Sequence, residues 1–232
     1  MIRRLPGTGA RLAVAAATCG TLLAGCSEDP PPPPIEIGRA RPSGQRITYP
    51  TVYDPSGHFA FDQWPPACSL LTKAELASVL PQARNITHKQ QDGKFRLRFS
   101  GRRVTAKGAS CTITFGLPGM TGSVTISEDA TGRLVDTRQN RLTENPGKVD
   151  VGGGCTTDNT IKIECKRGQV AFSLEVHLSY QNNKPSADEN RVRYSMGGKV
   201  TTFSSNNDIK QRWAFERQHL IVPLGKMAAA KL

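Results

Sequence analysis

An α+β fold, an antiparallel sheet with helices packed on it and pinned by two disulfides, is what this sequence predicts, and three observations carry it. A capped amphipathic helix stands at 72–80, runs of apolar/polar alternation fill the middle of the chain, and helical spacing returns from Asp208. At 232 residues and 37% hydrophobic, the chain is too apolar to be wholly disordered. A mean hydropathy of −0.41 and the lack of any late apolar run of about 18 residues exclude a multispanning membrane protein.

Taken in order, residues 1–25 have the three parts of a secretory signal. Arg3, Arg4 and Arg11 form a basic head, Leu12–Leu23 is an apolar stretch too short to span a membrane, and a small-residue site follows. The end, Leu23-Ala24-Gly25-Cys26, resembles the lipobox of bacterial lipoproteins, in which the cysteine is acylated and becomes the first mature residue. Two acyl chains at about 0.8 kcal/mol per buried methylene make such an anchor stable. The expectation is a chain held through Cys26 at the outer face of the cytoplasmic membrane. Arg3-Arg4 lacks the flanks of a twin-arginine signal, so no export route is assigned. Cleavage removes three arginines and no acid, lowering the formal charge from +12 to +9.

Pro30–Pro34 form a polyproline II spacer, and the chain stays rich in Pro, Gly, Ser and Arg to Asp62. Residues 26–62 therefore read as the lipidated N-terminus and a tether, a reading favoured over docking of the prolines to an SH3-like partner. A single α+β domain is expected over 63–232. Thr72 caps the first helix with Glu75 three residues on, Leu76, Val79 and Leu80 form one face, and Pro81 ends it. Strand alternation follows at Phe95/Leu97/Phe99, Cys111/Ile113/Phe115 and Val124/Ile126. The polar stretch 136–154, ending in three glycines, reads as a long loop. Ile161, Ile163 and Cys165 alternate, Arg167-Gly168 turns, and Val170 to Tyr180 is the cleanest period-two run. A hairpin over 192–203 turns at Gly197-Gly198. The last helix places Ile209, Trp213, Leu220, Leu224 and Met227 on one stripe, with Pro223 kinking or dividing it.

Cys19 is discarded with the signal and Cys26 takes the lipid, leaving Cys68, Cys111, Cys155 and Cys165. In an oxidising compartment these form two disulfides by one of three connectivities. Cys68–Cys111 with Cys155–Cys165 is the favoured one, because the second pair closes a short turn-containing loop and the first ties an early helix to a strand. A zinc site is disfavoured: no C-x-x-C occurs, and His58, His88, His177 and His219 do not accompany the cysteines in a ligand pattern.

The segment Ala67-Cys68-Ser69-Leu70-Leu71-Thr72-Lys73-Ala74-Glu75 resembles the Pro-Cys-x-Leu-Leu-Thr-x-x-Glu opening of a large family of actinobacterial lipoproteins of unknown function, and Cys111 stands where that family has its second cysteine. Thr112 replaces the aromatic usual there, and Cys155/Cys165 are an extra pair. The resemblance implies a lipobox, a mobile tether, a Cys68–Cys111 bridge and a compact domain similar to the PsbP-like sandwich. It implies no known activity.

No G-x-S-x-G, H-E-x-x-H, S-x-x-K, P-loop or G-x-G-x-x-G pattern occurs, so no catalytic, cofactor-binding or metal residue is assigned, and no cofactor is expected. Glu175 and His177, at i and i+2 on one strand face, are the single pair within reach of a shared metal or water; a solvated strand face is the favoured reading of them. Glu128-Asp129 and Asp188-Glu189, being adjacent, point to opposite faces and do not cooperate. Charge says more. Lys89, Lys94, Arg96, Arg98, Arg102, Arg103 and Lys107 against Asp92 alone put +6 of the mature +9 into 89–107. Arg96, Arg98, Arg102 and Arg103 are thus the candidate polyanion site, for anionic lipid headgroups or a cell-wall polymer. Nucleic acid is not expected, since no aromatics interleave on the basic face. The function expected is a non-catalytic binding or accessory module for an envelope component or a protein partner. An envelope enzyme, or a ligand-binding lipoprotein with an internal cavity, is the alternative.

Overall fold

Thr72 starts the first helix, α1 (Lys73–Val79), as its neighbours dictate. Its hydroxyl accepts the Glu75 N–H at 3.2 Å, and the Glu75 carboxylate accepts the Thr72 N–H at 2.8 Å, closing a capping box. Leu76, Val79 and Leu80 are fully buried. A 3-10 turn, Ala67–Ser69, precedes the helix. The computed structural model describes residues 31–50, 63–96, 103–129, 148–158, 160–168, 170–180, 191–204 and 208–232.

Seven strands form one antiparallel sheet: β2 (Arg84–Arg96), β3 (Arg103–Leu117), β4 (Met120–Asp129), β5 (Val149–Gly152), β6 (Cys155–Thr157), β7 (Lys162–Arg167) and β8 (Val170–Tyr180), in the order β2-β3-β4-β8-β7-β6-β5. Register sets its two faces. Cys111, Ile126, Leu174 and Ile163 pair across four strands, as do Ile113, Val124 and Val176 across three, and all are buried. On the reverse face the same strands carry Ser110, Thr112, Ser127, Thr125, Ser173 and Glu175, the one-sided pattern of an antiparallel sheet with helices on its other side.

The covering helices are α1 and a C-terminal assembly of α2 (Ile209–Glu216), a π turn (Arg217–Ile221) and α3 (Val222–Ala229). Gly225 lets α3 approach β7, since a Cβ there would stand 2.7 Å from Ile163 Cδ1 and Cγ2. Pro223 stands in the first turn of α3, where the helical run is divided as expected. The Val222 N–H bonds to Arg217 O, so the wide π turn comes directly before the residue that has no donor to give. The expected stripe holds at Leu220, Leu224 and Met227 but not at its start: Ile209 is 39% exposed, while Arg212 and Glu216 are buried. These two take inward positions because they neutralise each other, Arg212 Nε to Glu216 Oε1 at 2.7 Å, and Tyr194 donates to the same carboxylate oxygen. Burial lowers the Arg212 pKa, and Glu216 and Tyr194 outweigh it and raise it; burial and then Glu216 push the Tyr194 phenol up.

A second sheet has three strands, β1 (Ile35–Glu36) parallel to β9 (Arg191–Met196) and β10 (Lys199–Ser204) antiparallel to it, turning at Gly197 and Gly198 as the sequence predicts. Two expectations are corrected. The polar stretch 136–154 holds β5 and leads into β6, while 136–147 lie outside the described residues. The tether reading of 26–62 is narrowed as well: residues 31–50 pack on the folded unit, while 26–30 and 51–62 lie outside the described residues. Ile35 and Ile37 are buried, Arg193 donates to Pro32 O, and the Ile47 N–H bonds to Lys231 O at 2.6 Å. Short apolar pairs, 35/37 and 47/49, tie this strap down.

Both disulfides are formed as expected, Cys68–Cys111 joining the 3-10 turn to β3, and Cys155–Cys165 between directly opposed residues of β6 and β7. The strap, α1 and the C-terminus meet at one buried ion pair. Lys231 Nζ lies 2.6 Å from Glu75 Oε2, with side chains 3% and 0% exposed. Burial pushes the Glu75 carboxyl up, but the Lys231 ammonium and the Thr72 and Ser43 amides outweigh it and hold the pKa below the usual value.

Candidate functional site

The basic candidate lies on the β2–β3 hairpin. Arg96 pairs in register with Arg103 and Lys94 with Thr105, and Lys89, Lys94, Arg103 and Lys107 are exposed. Between Gln91 and Gly93 the register slips against a longer stretch of β3 that includes Gly108 at φ +65°. Asp92, the one acid of the window, accepts the Gly108 N–H at 2.9 Å and so closes this irregularity. Arg98 and Arg102 lie outside the described residues, as does Cys26.

Glu175 and His177 do come together, with Oε2 and Nε2 3.5 Å apart. They stand on the open polar face, 40% and 53% exposed, as one end of a ladder of charges. Lys162 reaches Glu175 at 3.7 Å and Glu164 at 3.3 Å, and Lys148 reaches Glu164 at 2.7 Å. Among the described residues, a ladder of this kind on an open face offers no shielded volume for a substrate, and each pair in it contributes little.

Three features escaped sequence reasoning because each joins residues distant in the chain. A cleft of about 410 Å³ is lined by Arg46, Ile47, Thr48, Tyr49, Arg167, Val170 and Leu232, so strap and sheet make it together. Beside it, the Tyr49 hydroxyl donates to Glu128 Oε1 at 2.9 Å, 79 residues away. Glu128 faces the covered side of the sheet opposite Phe172. Burial pushes its carboxyl up to about 8, only partly offset by Tyr49, so it is protonated at neutral pH. The Tyr49 phenol is pushed up by burial first and Glu128 second. The third feature is His88 beside the Cys68–Cys111 disulfide, where one imidazole nitrogen and the two sulfurs all lie within 4.8 Å of one another. Its Nε2 is buried with no hydrogen-bond partner, and burial and then Lys73 lower its pKa. His219 packs on Phe215, ring centroids 4.5 Å apart, and burial lowers its pKa; His58 lies outside the described residues.

No family model, curated protein or solved structure matches the chain. Among the described residues, no helix is long and apolar enough to cross a membrane.

Proposed function

We propose that this chain is an extracytoplasmic lipoprotein of the actinobacterial family it resembles, anchored at the outer face of the cytoplasmic membrane by an acylated Cys26, and that its domain is a non-catalytic module binding an anionic polymer of the cell wall. The PsbP-like likeness belongs to the same proposal. One observation supports the choice of ligand. Pro32 lies against Gly119 of the β3–β4 turn, while the exposed Lys94, Arg103 and Lys107 stand toward the other end of β3. At about 3.3 Å per residue, roughly 40 Å of strand separates the two ends. Cys26 is at most about 18 Å of extended chain from Pro31, so the anchor pulls on the end remote from the cations. Cations at the free end of a long hairpin meet a polymer beyond the bilayer more readily than its headgroups.

Co-sedimentation tests this. At low salt the full chain carries down with a wall polymer of phosphodiester or carboxylate repeats, and added salt weakens the association. Changing Arg96, Arg98, Arg102 and Arg103 together to Ser reduces it severalfold. Undiminished binding by that variant contradicts the basic hairpin as the site. The cleft beside Tyr49 favours a second reading, a lipoprotein that captures a small anion at the exposed Arg167, while Arg46 on the same lining donates to Leu232 O at 3.3 Å. Arg167→Ser then abolishes uptake of that anion and leaves polymer binding intact. Nothing in the exposed Glu175/His177 pair favours an enzyme.

A further inference from the structure

The geometry points to a hidden site for a soft monovalent cation, Cu⁺, made of Cys68, Cys111 and His88 and opened by reduction of the disulfide between the two cysteines. Three donor atoms already lie within 4.8 Å of one another, one from each residue. Donors about 2.0–2.3 Å from a shared metal are roughly 3.5–4 Å apart, so small side-chain rotations after the sulfurs separate complete the set. The second observation is independent of the first. His88 is only partly buried as a residue, but its Nε2 atom is shielded from solvent and has no hydrogen-bond partner among the described residues, and such unmet buried polar atoms are uncommon.

His88 is held there by register. It pairs with Ile113 on β2–β3, two residues from the Gln90–Cys111 pair, so imidazole and Cys111 share the covered face. Cys68 arrives from the 3-10 turn above them. These residues lie 20 and 23 positions from His88 in the chain, which is why no ligand spacing was visible.

The chemistry balances with a dithiol as reductant. The disulfide accepts two electrons and two protons, its S–S bond breaks to two thiols, and the dithiol closes to a cyclic disulfide. Cu⁺ then displaces the two thiol protons and bonds both sulfurs and the imidazole. Three soft donors suit the trigonal preference of Cu⁺. Zn²⁺ prefers four ligands, and with no further His, Cys, Asp or Glu beside the three among the described residues it has to complete its shell with water, whereas Cu⁺ is satisfied by the three. Two thiolates and Cu⁺ leave one negative charge, and the Lys73 ammonium acts electrostatically on His88 from nearby. The formed disulfide is the closed state of the site.

The experiment uses the full chain in detergent, reduced with a phosphine that is then removed under argon, and titrated with Cu⁺ against bicinchoninate. One equivalent binds to the reduced chain and none to the oxidised chain; His88→Ala weakens binding at least tenfold, and Cys155→Ala/Cys165→Ala leaves it unchanged. Should reduction unfold the sheet, seen by far-ultraviolet circular dichroism, Cu⁺ restores it. Equal binding by the oxidised chain or by His88→Ala overturns the proposal. So does loss of binding with Cys155/Cys165, uptake of Zn²⁺ but not Cu⁺, or a reduced chain that unfolds and stays unfolded with Cu⁺.

Discussion

Glu128 holds a proton at neutral pH because burial opposes its ionisation, and that makes the fold sensitive to pH in a definite direction. The unfolded chain releases this proton near the usual value of 4.5, and the folded chain only near about 8. Stability is therefore fully present below the first value, falls as pH rises between the two, and is flat above the second, with a total swing on the order of 5 kcal/mol. Glu128→Gln flattens this dependence in thermal melts. Glu75 has the opposite sign. Its depressed pKa contributes stability above the usual carboxylate value that is lost as pH falls below about 4.5. Tyr49→Phe removes the hydroxyl that Glu128 accepts from and costs about 1 kcal/mol in urea unfolding.

Elements are joined here by a few buried contacts, and these predict unequal responses to substitution. Lys231→Met leaves the Glu75 carboxylate buried without its ammonium and costs about 3–5 kcal/mol; adding Glu75→Gln recovers most of it. Gly225→Ala drives a methyl into Ile163 and costs about 1–3 kcal/mol, read as a lower urea midpoint. Among the strands and helices, those whose pattern is local were legible in the sequence. The capping box at Thr72 and the alternation of 170–180 need only neighbours in the chain, and the disulfides needed only the count and a plausible loop. The strap was not legible. Ile35/Ile37 and Ile47/Tyr49 carry a period-two signal two residues long, too short to stand out from the Pro, Gly and Arg around it. The start of the last helix was misread for a related reason: Ile209 is exposed while Arg212 and Glu216 turn inward, and their burial involves Tyr194 from a distant strand.

At the scale of the whole molecule, the same limit explains the candidate sites. The basic hairpin was legible because charge accumulates in one window, whereas the Tyr49–Glu128 pair and the His88 neighbourhood exist only through long-range pairing. The strap changes the picture of the proposed anchored protein most. With the folded unit beginning at Pro31 and Pro32 lying against Gly119, the proposal of a lipid at Cys26 leaves at most about 18 Å of chain before the fold and so no long spacer, and it predicts a domain tethered by its β3–β4 end. Cys26→Ala is expected to move the protein from the membrane fraction to the soluble fraction of fractionated cells. The orientation itself is read by energy transfer from a donor dye at position 105, at the far end of the hairpin, to acceptor-labelled headgroups in anionic vesicles carrying the full lipidated chain. Transfer characteristic of a separation of roughly 40 Å, unchanged when Arg96, Arg98, Arg102 and Arg103 are replaced by Ser, is the result predicted. Strong transfer that those replacements abolish would mean that the hairpin lies on the headgroups, and would contradict the account.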